Sequence, residues 1–194
     1  MKNDWRKIIT VLKNDGVAVI PTDTLYGVVG KALSKKTVER IYKLKGRDKS
    51  KPLIVLISSF DDLKKFNITL EHRQSEFLKT IWPGKVSVIM SVPSARWEYL
   101  HRGTKTIAFR MVGPRNRNIY HLIRTVGPLV APSANPQGED PARTMQEAKR
   151  YFRDMVDLYA CGGTRMAKPS TLVEYKNNTF TILRQGAVKI KEKK

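Results

Sequence analysis

A single cysteine, Cys161, in 194 residues rules out an internal disulfide framework. The fold must rest on a buried core, and the length is sufficient for one. Scarce cysteine also suits a reducing compartment, so a cytoplasmic location is expected. Cys161 precedes Gly162-Gly163 without a histidine partner in sequence and is expected to be an inert thiol. His72, His101 and His121 are widely separated and fit no metal-ligand spacing. His72 and His121 read as helix-surface residues. No apolar run reaches the length of a membrane span. The start, Met1 to Lys7, has no long apolar stretch behind it, which argues against a signal peptide. Neither a Walker loop nor a Rossmann fingerprint occurs. Acidic residues are few, 17 against 37 Lys and Arg, which leaves a formal net charge of +20. Such an excess attracts polyanions, whether nucleotide phosphates, RNA or anionic membranes; the plainer reading is solubility.

Helix and strand signals alternate along the chain. Amphipathic periodicity predicts helices over 4–14, Lys35–Lys45 behind a Ser34 cap, Ser58 or Ser59 to Phe66, Thr69–Ile81, Asn116 or Asn118 to Val126, and Thr144–Phe152. Apolar runs predict strands at Val17–Ile20, Leu53–Ile57, Val86–Val92, Thr106–Met111, Leu129–Ala131, Val156–Ala160, Thr171–Tyr175 and Thr179–Leu183. Asn177-Asn178 signals a hairpin between the last two. The sum is one α/β or α+β domain over 1–188 with a mixed sheet, then a basic tail over 189–194 expected to be disordered.

Five polar clusters stand beside these apolar runs. Pro21-Thr22-Asp23-Thr24-Leu25-Tyr26-Gly27 places hydroxyls, a carboxylate and a phenol at the end of the first strand. Ends of buried strands deliver polar groups to sites at a sheet's edge. Lys45 and Arg47 close a helix, where cations suit the dipole; they could equally clamp phosphate, Lys as a point charge and Arg as a fork. Thr106, Ala108 and Arg110 share one strand face, and an inward Arg110 would suit a carboxylate. Pro132-Ser133-Ala134-Asn135 is a turn after an apolar strand, where Ser133 and Asn135 could hold ligand oxygens. The fifth, Lys168-Pro169-Ser170-Thr171, and beyond these clusters Arg184-Gln185-Gly186, read alone as strand termini.

In this order and spacing, with Lys51-Pro52-Leu53-Ile54-Val55 and Trp82-Pro83-Gly84 between them, the clusters closely resemble the YrdC-type threonylcarbamoyl-AMP synthase family. The resemblance covers roughly residues 5–188. It implies a twisted mixed sheet with flanking helices and a concave, positively charged cavity. It also implies an enzyme that converts L-threonine, bicarbonate or CO2 and ATP into threonylcarbamoyl-adenylate and pyrophosphate. A partner complex of the family passes the threonylcarbamoyl group to adenosine 37 of tRNA. Magnesium would arrive with ATP, and no membrane partner is implied. The chain is similar to the family's short, single-domain form.

By the same resemblance, Thr22, Arg110, Ala131 and Ser170 align with the threonine-binding positions. Lys45, Arg47, Thr106, Ser133, Asn135, Ala142 and Arg184 align with the ATP-binding set, Ala142 where a serine is usual. No side-chain nucleophile is implied; Lys45 and Arg47 would position substrate and stabilise charge. Departures are Leu56 in place of a frequent histidine, Lys85 in place of a usual proline, and Pro141-Ala142-Arg143-Thr144 in place of Pro-Ser-Pro-Thr. The competing reading is an RNA-binding protein of this fold without synthase activity, which the +20 charge and Leu56 would suit.

Overall fold

The computed structural model describes residues 5–48, 51–176 and 179–190. Within them lie strands β1 (Ala18–Pro21), β2 (Tyr26–Lys31), β3 (Ile54–Ile57), β4 (Val86–Ser91), β5 (Thr106–Met111), β6 (Leu129–Val130), β7 (Leu158–Tyr159), β8 (Thr171–Lys176) and β9 (Thr179–Arg184). The helices are α1 (Trp5–Lys13), α2 (Lys35–Lys45), α3 (Asp61–Lys64), α4 (His72–Ile81), α5 (Glu98–His101), α6 (Arg117–Val126) and α7 (Met145–Phe152). The strands form one twisted mixed sheet in the order β7-β1-β2-β6-β3-β5-β4-β8-β9. β1 and β2 run antiparallel, whereas β3 and β5 run parallel.

Successive strand residues point to opposite faces, and the apolar ones divide accordingly into two cores. Val17, Val19, Val28, Val55 and Ile57 pack with Val38 and Ile41 of α2 and with Ala148 and Phe152 of α7. Ala18, Ile20, Val29, Leu56 and Leu129 pack with Ile8 and Leu12 of α1 and with Ile119, Leu122 and Ile123 of α6. Central strands buried on both faces explain the unbroken apolar runs of the sequence. α2 starts where Ser34 accepts a hydrogen bond from the Thr37 N–H and stops at Gly46, whose φ of 55° suits a residue without Cβ.

Several elements differ from expectation. β2 is absent from the sequence reading because Gly27 and Gly30 interrupt its apolar pattern. Packing demands Gly30, since a Cβ there would lie 2.2 Å from Thr37 Cγ2 on α2. α4 begins at His72 rather than Thr69, because Glu71 takes the cap position. Its backbone N–H donates to Gln74 Oε1 at 3.0 Å, a reciprocal arrangement that settles the start. α3 and β7 are shorter than expected, and α5 falls where no helix is expected. β8 and β9 pair as a hairpin with Lys176 opposite Thr179. Asn177-Asn178 themselves and the tail residues 191–194 lie outside the described residues.

Candidate active site

The end of β1 turns back on itself through hydroxyl chemistry. Thr22 Oγ1 donates to the Leu25 carbonyl at 2.6 Å and accepts from the Thr24 N–H at 3.2 Å. This side-chain turn delivers the chain into β2 and leaves Thr22 at its mouth. Tyr26 then anchors the segment after β7: its hydroxyl donates to Gly163 O and accepts from the Gly162 N–H, both at 2.8 Å.

The Pro132–Asn135 turn is strapped onto β2. The Val28 N–H donates to Pro132 O at 2.9 Å, and the Ala134 N–H donates to Tyr26 O at 2.8 Å. At Gly27 the two backbones meet as an isolated bridge with Ser133. An added Cβ would stand 3.1 Å from Thr22 Cγ2 and 3.3 Å from Pro132 O, so the close approach favours glycine. Below the turn lies Lys45, 2 % exposed. Its ammonium donates to Ser133 O at 2.5 Å and to Asn135 O. Burial, with Arg47 nearby, pushes the Lys45 ammonium down to about 7.

Arg110 is a second deeply buried cation near this turn, at 4 % exposure. Its Nη2 meets Asp23 Oδ1 at 2.9 Å, and that carboxylate side chain is equally covered. Its Nη1 donates weakly to Thr24 Oγ1 at 3.4 Å, while Nε has no hydrogen-bond partner. Desolvation lowers the Arg110 pKa, and the Asp23 charge works against that. The guanidinium remains charged, since arginine does not deprotonate in proteins.

These parts enclose a cavity of about 280 Å³. Thr22, Arg110, Ala131 and Ser170 line it together, and Arg47, Ser133 and Arg184 join them. Its lining contains three arginines and no carboxylate. Asp23 stands outside that lining, on the wall toward a neighbouring concavity. Arg47 is held by Nε to Lys51 O at 3.0 Å and by Nη2 to Pro52 O at 3.1 Å. Arg184 Nη2 donates to Ser170 O at 3.0 Å, and the Ser170 hydroxyl pairs with that of Ser87 at 2.9 Å.

Residues 10–186 match the family model for Sua5, YciO and YrdC proteins, described as "telomere recombination". The chain belongs to the Sua5/YciO/YrdC family. It is 30 % identical to the threonylcarbamoyl-AMP synthase of Hahella chejuensis, over 93 % of this chain and 97 % of that protein. The Bacillus subtilis enzyme of the same name is also 30 % identical, with 92 % of this chain and 52 % of that protein covered. Among solved structures, Pyrococcus abyssi Sua5 complexed with L-threonine superposes with a TM-score of 0.85 at 26 % identity, over 94 % of this chain and 54 % of that one. The chain therefore spans about half the length of the Bacillus and Pyrococcus relatives.

Not every residue aligned with the family's binding positions reaches the cavity. Lys45, Thr106, Asn135 and Ala142 are not in its lining. Lys45 supports the turn from beneath, and the Asn135 amide donates to Pro136 O and Glu139 O within its own loop. Thr106 begins β5, four residues before Arg110 and thus about 13 Å along the strand. Its hydroxyl donates to Thr104 Oγ1 at 3.2 Å. Ala142 is fully buried, with its N–H donating to Ala134 O at 3.1 Å. Of the departures, Leu56 is opposite Arg110 in the β3–β5 ladder but sealed in the core. Lys85 faces the neighbouring concavity. Asp23 and Ser87 were not singled out by sequence. Asp23 was legible within the polar cluster, but its pairing with a residue 87 positions away was not.

Proposed function

We propose that this chain is an L-threonylcarbamoyladenylate synthase. One observation carries the reading. Thr22, Arg110, Ala131 and Ser170 converge on a single cavity in a fold that superposes at 0.85 on a relative solved with L-threonine. Arg110 would hold the amino-acid carboxylate through the edge that Asp23 leaves open. Thr22 and Ser170 would receive the polar groups at the other end of threonine. Arg47, Ser133 and Arg184 would hold the triphosphate of ATP, with magnesium entering as the ATP complex. Among the described residues no group of three His, Cys, Asp or Glu converges on a point, and the magnesium would keep phosphate and water among its ligands.

The chemistry then asks little covalent work of the protein. The threonine amine adds to CO2 and loses a proton, giving a carbamate. A carbamate oxygen attacks the α-phosphorus of ATP; that O–P bond forms as the bond to the β-phosphate oxygen breaks, and pyrophosphate leaves. The chain aligns the reactants, neutralises charge and shields a labile product from water. A cavity rich in arginine and hydroxyls and without carboxylate suits those tasks. The product would go to a transfer complex that modifies adenosine 37 of tRNA, and we place the reaction in the cytoplasm, where its substrates reside. No described helix is long and apolar enough to cross a membrane. A protein that only bound RNA would have no use for a buried arginine beside three hydroxyls. Incubation with ATP, magnesium, bicarbonate and L-threonine tests the proposal. Pyrophosphate should appear only with threonine; its release without threonine, or no release at all, would overturn it.

A further inference from the structure

Beside the Asp23 wall opens a second and larger concavity of about 560 Å³, which shares Thr22 with the first. Lys85, Arg115, Arg117 and Arg165 line it, together with Trp5. These four cations come from separate parts of the chain. Lys85 immediately precedes β4, Arg115 lies in the loop after β5, Arg117 opens α6, and Arg165 follows β7. Among the described residues none of the four makes a salt bridge. Asp23 is the sole carboxylate in the lining, and Arg110 already matches its charge at 2.9 Å.

Two further observations sharpen the picture. Arg165 Nε is buried and has no hydrogen-bond partner, so part of that guanidinium is desolvated without compensation. α6 also begins here with neither an acid in its first turn nor a side-chain cap, and its first residue is Arg117. A cation at that end opposes the helix dipole. Folding alone gives no reason to gather four cations and a positive helix end around one hollow. A multiply charged anion would repay each of those costs at once.

We propose that this bay binds a phosphate-class oxyanion, on four cations that do not line the cavity of Arg47 and Arg110. A free polyphosphate and the phosphates of a nucleic-acid strand share that chemistry. The test is calorimetric titration of the full chain with inorganic pyrophosphate and, separately, with a short single-stranded RNA at fixed salt. Arg115 and Arg117 are exposed, so the R115A/R117A double variant should fold. K35A/K36A removes the same charge from the exposed start of α2 and serves as control. R47A weakens the other proposed phosphate site, so a pyrophosphate event that keeps its parent affinity in R47A belongs elsewhere.

In the R47A background, R115A/R117A should weaken at least one probe by ~10-fold or more, the loss expected for two charge-assisted contacts, while K35A/K36A changes it less than ~2-fold. A loss confined to pyrophosphate identifies a free polyphosphate as the ligand; one confined to RNA identifies a strand. Equal losses in the two double variants would reduce the effect to the general field of a +20 protein and overturn the site. Failure of R47A to bind either probe would overturn it as well.

Discussion

Removing the Asp23 carboxylate should unmask what Arg110 is for. The pair is nearly solvent-free, with side chains 4 % and 5 % exposed and a separation of 2.9 Å. Asp23→Ala leaves a buried guanidinium without its counter-charge, a loss of about 3–5 kcal/mol. For a chain of this size that is a fall in Tm of roughly 6–20 °C. Asp23→Asn keeps an acceptor at the same place and should lose less, about 1–3 kcal/mol.

The informative measurement is how far threonine restores each variant. If the substrate carboxylate docks on Arg110, it replaces the missing charge. At about 4 Å and an effective dielectric constant near 20, such a contact is worth about 4 kcal/mol before desolvation is subtracted. Saturating L-threonine should therefore raise the Tm of Asp23→Ala by more than it raises that of the parent. Threoninol, which has no carboxylate, should give no such excess. Thermal denaturation with each ligand supplies the comparison. Identical threonine shifts in parent and variant would refute the placement of the carboxylate on Arg110. A variant within ~1 kcal/mol of the parent without ligand would show that the ion pair adds little to stability.

Arg110→Lys should abolish most threonine-dependent pyrophosphate release while ATP binding and the circular dichroism spectrum persist, because an ammonium cannot reproduce the planar fork. Arg47→Ala should weaken ATP binding about 10-fold or more in calorimetry and leave threonine binding nearly unchanged. Lys45 makes a pH prediction. Its pKa in the fold is about 7 against 10.5 for an unperturbed lysine, so the folded chain holds fewer protons than the unfolded one between those values. Its contribution to stability should rise with pH across that window, and Lys45→Met should flatten the rise in urea titrations. ATP binding above pH 7 should also take up a proton, read from calorimetry in buffers of different ionisation enthalpy. Gly30→Ala should destabilise by about 1–3 kcal/mol, since its Cβ would meet Thr37 Cγ2 at 2.2 Å.

The architecture was largely legible because burial on both sheet faces writes long apolar runs, and Ser34 and Gly46 mark the limits of α2 with ordinary cap chemistry. β2 escaped notice because the features that make it fit, Gly27 under Pro132 and Gly30 under α2, are absences of side chain. Sequence shows a glycine there but not the atom that requires it. The site was legible as a set of motifs and illegible as a division of labour. Lys45 and Arg47 are two residues apart, yet one props the turn from beneath and the other lines the cavity. That split follows from the end of α2, where Gly46 turns the backbone left-handed and sends the neighbouring side chains different ways. The alternation of β5 correctly put Thr106 and Arg110 on one face, and strand rise separates them by about 13 Å, a spacing that suits two ligands rather than one small one.

The placement of Lys45 bears on how a triphosphate could be received. Its ammonium fixes the carbonyls of Ser133 and Asn135, and those residues form the turn strapped to β2 beside Thr22. A phosphate arriving at Ser133 would sit near a lysine whose burial has pushed it down to about 7. The anion's field would favour the charged ammonium, and the charged ammonium would tighten the same turn that frames the cavity. Nucleotide binding and the order of the amino-acid pocket would then be coupled through one buried side chain. Lys45→Met should weaken ATP binding and, in addition, lose any increase in threonine affinity that ATP brings. Arg47→Ala, which leaves the support beneath the turn intact, should weaken ATP binding yet keep that coupling once ATP is raised to saturation. Coupling of equal size in the parent and in Lys45→Met would show that the turn holds its shape without the ammonium.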